Sequence, residues 1–186
     1  MSFLSLRAVG IVPAEELGQL ADELRHEFQG EVQTLEPLNN PSFAWDPSRR
    51  QYNSALILRE LVRTCPPDAH RLLGITEFDL FIPMLSFVFG QAQLSGRVAL
   101  ISFARLRQEF YGIAPAASVF EERARKEALH ELGHTFSLTH CPDRGCPMSL
   151  STGIAQVDDK GSRYCGSCAA QLRELDVPLI GTERTV

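Results

Sequence analysis

The chain has 186 residues, 44% of them apolar and 22% charged, with a formal charge of −5 at pH 7. That length suits one domain able to bury a full core, and the composition is that of an ordinary globular protein. The acidic balance disfavours nucleic acid and anionic membranes as primary partners, and no apolar run approaches the ~18 residues of a membrane span.

The beginning, MSFLSLRAVGIVPAEEL, lacks the basic leader and small-residue cleavage site of a signal peptide. A cytoplasmic, reducing setting is therefore expected, where clustered cysteines bind metal more often than they form disulfides. Leu4 to Val12 reads as a buried strand. A helix follows Pro13, with Leu17, Leu20, Ala21, Leu24 and Phe28 on one face and Gly30 as its stop. A second strand from Glu31 completes a parallel strand–helix–strand unit. Pro37 to Gln51 is turn-rich and predicts a long loop, with Trp45 at the rim of the core.

Leu58, Leu61, Val62 and Cys65 predict a helix that ends at Pro66-Pro67, with Cys65 as a small core residue. From Leu72 to Leu106 the pattern turns to strands. RVALISF has the continuous apolar content of a central strand, and SFVFGQAQ alternates and contains Gly90, as an edge strand does. A last long helix runs from about Val119 past His134, with Ser118 and Glu121 at capping-box spacing. Lys126 and Glu127 read as solvated positions on it.

That helix carries His130-Glu131-Leu132-Gly133-His134, an H-E-x-x-H motif. Residues four apart share a helix face, so both imidazoles can reach one ion, while Glu131 is displaced toward a water on that ion and fits a general base. His140 lies six residues beyond His134. Three histidines leave a fourth position open, the arrangement of a catalytic zinc rather than a closed structural one. HELGHTFSLTH resembles the metzincin signature, with Ser137 where that family has glycine at the helix exit.

Cys141, Cys146, Cys165 and Cys168 form a C-x4-C pair and a C-x2-C pair. Two close pairs across a short excursion are what a four-cysteine structural zinc needs; two disulfides or a redox C-x-x-C compete with that reading. The cysteine set, with Met148 in CPMS, resembles the archaemetzincins. The resemblance runs upstream through LGITEFDLFIP and FVFGQAQLSGRVALIS and covers roughly the C-terminal half.

The resemblance implies an α+β, zincin-like fold: a twisted mixed β-sheet with an antiparallel edge strand, an active-site helix beneath it and a zinc-stabilised C-terminal segment. The whole chain, 1–186, is then one metzincin-like domain, with 1–137 the upper part and 138–186 the lower part holding the Met-turn. It implies a metallopeptidase with two zinc ions, one catalytic and one structural, that takes peptide in extended conformation along SFVFGQAQ. The position two beyond the methionine, a tyrosine in several metzincins, is Leu150, so no such helper is expected. Tyr164 and His26 are further candidates for the cleft. A zinc-stabilised peptide-binding scaffold with little turnover is the rival reading, and Ser137 favours it. A nucleic-acid-binding zinc knuckle would use the cysteines alone, against the acidic charge.

Overall fold

The computed structural model describes residues 3–180. A five-stranded sheet carries the architecture, in the order β2–β1–β5–β8–β7. Its members are β1 (Leu4–Val9), β2 (Val32–Leu38), β5 (Arg71–Thr76), β7 (Gly90–Ala92) and β8 (Val98–Ser102). All neighbours pair in parallel except β7, which lies antiparallel to β8 at the edge. A smaller sheet joins β3 (Trp45–Asp46), β4 (Gln51–Asn53) and β6 (Leu80–Phe81).

The strand–helix–strand start forms as its pattern requires: α1 (Ala14–Phe28) crosses between β1 and its parallel neighbour β2. α2 (Ser54–Arg63) packs on β5 and β8, as does α3 (Ala117–Thr135), which also contacts α1. The period of two divides the central strands between two cores. Leu73, Ile75, Ala99 and Ile101 join the cluster containing Leu24 of α1 and Leu129 and Leu132 of α3. Leu72, Val98 and Leu100 join the cluster of Ile57, Leu58 and Leu61 from α2. Every residue of β8 is buried, as expected of a strand covered on both faces. The short helix α4 (Ile154–Asp159) packs on α3, and a second short helix, α5 (Gly166–Glu174), follows it in the chain. Among the described residues, no helix is long and apolar enough to cross a membrane.

Several local expectations change. The first strand ends at Val9, where Gly10 turns the chain with φ 76°. Gln29, not Gly30, takes the left-handed position that closes α1. The loop expected over Pro37–Gln51 begins later, because β2 runs on to Leu38, and it contains a 3-10 turn and β3. Trp45 is 42% exposed and its ring rests 5.0 Å from that of Tyr52 across the β3–β4 pair. Cys65 lies past the end of α2, half-buried, because Pro66 prevents the helix from reaching it. α3 starts at Ala117 with Ala116 as its N-cap, so Ser118 is already inside the helix and caps nothing.

Candidate metal centre and cleft

α3 presents His130, Glu131 and His134 to a cleft of about 370 Å³, whose opposite wall is the run from Leu85 through β7. The helix stops at Thr135, and Ser137 itself takes the left-handed conformation, φ 71°. Leu138 N–H donates to Gly133 O at 3.0 Å and Ser137 N–H to His134 O at 3.0 Å, the pattern of a Schellman exit. A serine there costs about 1 kcal/mol relative to an unstrained residue, yet the route is kept. It returns His140 to the helix, with ring centroids 5.3 Å from His130 and 5.1 Å from His134.

The histidines test the fit of a metal. His130 Nδ1 lies 2.8 Å from Pro147 O, and His134 Nδ1 lies 2.7 Å from Leu138 O. A carbonyl oxygen only accepts, so both Nδ1 atoms carry the proton and both Nε2 atoms present lone pairs. Those two Nε2 atoms stand 3.2 Å apart. Facing lone pairs repel unless a cation lies between them. A tetrahedral ion with bonds of ~2.0 Å sets its ligands about 3.3 Å apart, so the spacing fits zinc. Burial above all holds the His130 imidazole well below its usual pKa, with Lys160 and His134 adding to the effect. Burial also lowers His134 and His140. All three therefore stand neutral at pH 7, the form that ligates metal.

Glu131 is 6% exposed at the cleft wall. Burial, then the neighbouring Glu127 carboxylate, pushes its carboxyl well above the ordinary range, with Lys160 pulling the other way. Gly90 on β7 is what lets the edge strand lie over this side chain. A Cβ there would come 2.7 Å from Glu131 Oε1 and 2.7 Å from Leu100 O. Gly133 serves the other side of the helix, where a Cβ would stand 2.3 Å from Met148 Sδ. Met148 is fully buried against it, and its carbonyl accepts from Cys141 N–H at 2.9 Å.

The four cysteines form a second cluster directly behind the third histidine. Cys141, Cys146, Cys165 and Cys168 stand as thiols whose Sγ atoms all lie within 4.8 Å of one another. Cys141 Sγ and Cys165 Sγ are 3.7 Å apart, and a tetrahedron with ~2.3 Å metal–sulfur bonds has edges of about 3.8 Å. The spacing is too long for a disulfide of ~2.05 Å and fits a closed zinc site. Tight turns shape it: Cys146 N–H donates to Asp143 O, Ser149 N–H to Cys146 O, and Cys165 caps α5, whose first turn carries Cys168.

Other candidates fall elsewhere. Tyr164 is buried, its hydroxyl donating to Leu129 O at 2.7 Å, so it braces α3 from outside the cleft. His26 is exposed on α1 and does not line the cleft. Lys126 and Glu127 are buried, not solvated. α4 comes up against this part of α3, so Lys126 Nζ donates to Asp158 O while Glu127 meets Lys160 in the cleft. The carbonyls of Pro147 and Leu138 had no signal in the sequence. Glu127 had one, since it lies four residues before Glu131 on the same helix side.

Comparisons agree with this architecture. The family model of peptidase family M54 matches residues 67–174 of this chain. The chain is 43% identical to the archaemetzincin of Methanocaldococcus jannaschii over 171 residues, which covers 92% of this chain and 93% of that one. In structure it is similar to a zinc-dependent peptidase from Methanocorpusculum labreanum, with a TM-score of 0.80 and 31% identity over 91% of this chain and 99% of that one. It is also similar to the crystal structure of the archaemetzincin of Methanopyrus kandleri, with a TM-score of 0.79 and 36% identity over 94% and 96% of the two chains.

Proposed function

We propose, on the premise that this chain belongs to peptidase family M54, the archaemetzincins, and is a zinc-dependent metallopeptidase, that His130, His134 and His140 hold its catalytic zinc and Glu131 is its general base. The observation that carries the reading is the pair of Nε2 lone pairs 3.2 Å apart, each oriented by a carbonyl on the far side of its ring. When bound there, zinc supplies Lewis acidity toward water and a peptide carbonyl.

The chain's own residues do the rest. Glu131 takes the proton of the attacking water and later delivers it to the leaving amine. Its buried position favours holding that proton between the two transfers. Among the described residues no strand lies beyond β7 in the sheet, and this outer edge takes the substrate, a peptide or protein, in extended form. Leu150, 57% exposed in the cleft, has no hydroxyl to offer an oxyanion. Cys141, Cys146, Cys165 and Cys168 hold a second, structural zinc, and a cytoplasmic setting suits four cysteines that stand as thiols. We take the chain as one domain in which 1–137 form the upper part and 138–186 the lower; residues 1–2 and 181–186 lie outside those described.

The test is a peptide-library digest with zinc-loaded wild type and Glu131→Ala. The variant keeps its zinc and loses roughly a hundred- to ten-thousand-fold in kcat/KM. Full turnover by Glu131→Ala would remove the assignment of the base.

A further inference from the structure

Four residues before Glu131, the Glu127 carboxylate faces the same cleft and accepts from Lys160 Nζ at 3.3 Å. The two side chains are 3% and 0% exposed. As a fastener between α3 and the end of α4 this pair has little to offer, because the desolvation of two buried charges offsets most of their attraction. Its position in the cleft wall points instead to recognition.

Three features give the sign of what is recognised. An ammonium has three N–H donors, and Glu127 is the one acceptor of Lys160 among the described residues, at the long end of hydrogen-bond distance. Ser151, also in the cleft wall, has a buried Oγ with no partner among the described residues. Among the described residues, the charged side chains lining the cleft, the histidines aside, are Glu127, Glu131 and Lys160. With a divalent ion on the histidines, two carboxylates leave a positive charge uncompensated in a confined space, where it is costly.

We propose that Lys160, Glu127 and Ser151 form a specificity subsite beside the metal that takes a carboxylate of the substrate, with Lys160 Nζ and Ser151 Oγ as its donors. The inference rests on the metal reading above and adds the substrate class. Neighbouring Leu85 and Leu150, both at least half exposed, give the same cleft an apolar mouth.

Binding rather than turnover tests it. The zinc-loaded protein is titrated with two peptide hydroxamates, C-terminally amidated, that differ only in carrying an aspartate or an asparagine side chain next to the metal-binding group. A third probe has a neutral side chain there and a free C-terminal carboxylate. The aspartate probe is expected to bind roughly tenfold or more tightly than the asparagine one. Lys160→Met alone strands the Glu127 carboxylate, so the comparison uses Glu127→Gln with Lys160→Met, which neutralises both, and there the preference disappears. Selective binding of the third probe, lost in the same double variant, supports the subsite and assigns it to chain ends. Equal binding of aspartate and asparagine probes without that selectivity, or an unchanged preference in the double variant, overturns the subsite while leaving the metal reading intact. Failure of every hydroxamate to bind overturns both.

Discussion

Glu131 is the residue on which structure and chemistry pull in opposite directions. A carboxyl 6% exposed and four residues from a second buried acid is a poor choice for stability. Its folded pKa stands above the ordinary 4.5, so in metal-free protein ionisation favours the unfolded chain. Any stability tied to the protonated form is present below about pH 4.5 and is lost as pH rises through the folded value. Glu131→Gln should therefore raise the melting temperature of the metal-free protein at pH 7 to 8, with the gain shrinking as pH falls toward 4.5. A scan of melting temperature against pH for both proteins checks this; no gain at neutral pH would mean the carboxylate is well solvated. Ser137 makes a similar concession at smaller scale. It accepts the left-handed conformation, φ 71°, that glycine would take more cheaply, and His140 arrives where the other two rings need it. The departure from the metzincin glycine thus gives the scaffold reading no support.

At the scale of elements, α3 and the segment after it act together. Cys141 follows His140 directly, its N–H bonds Met148 O, and Met148 packs on Gly133 between the two helical histidines. Loss of the cysteine site should therefore reach the cleft. In Cys165→Ser with Cys168→Ser, amide exchange should quicken throughout 141–172, and zinc affinity at the histidines should fall as His140 loses its anchor. Unchanged protection in that stretch would show that packing alone holds it. The helices and central strands were legible because each repeats its apolar positions with one period: Leu17, Leu20, Leu24 and Phe28 for α1, or the unbroken run of β8. The two- and three-residue strands β3 and β4 were not, since nothing periodic fits into so few positions. The Ser118–Glu121 cap misled for a different reason: the spacing is right, but the helix begins before it.

For the whole molecule, the similarity reaches beyond the C-terminal half that carries the motifs, to 92% of the chain. The upstream part supplies β1 and β2, which extend the sheet beyond β5, and α1, which packs beside α3. The seven metal-ligating candidates were legible as residue types at fixed spacing, and the structure brings them together in two groups, His130–His134–His140 and the four cysteines. The ion pair of Glu127 with Lys160 and the close approach of Gly90 to Glu131 were not legible, because each depends on segments 33 or more residues apart meeting in space. Native mass spectrometry of the zinc-supplemented protein and of His130→Ala with His134→Ala tests the central claim most directly. Two zinc ions per chain falling to one in the variant is the expected result. A single ion, still present in the variant, would confine zinc to the cysteines and contradict a metal centre at the histidines.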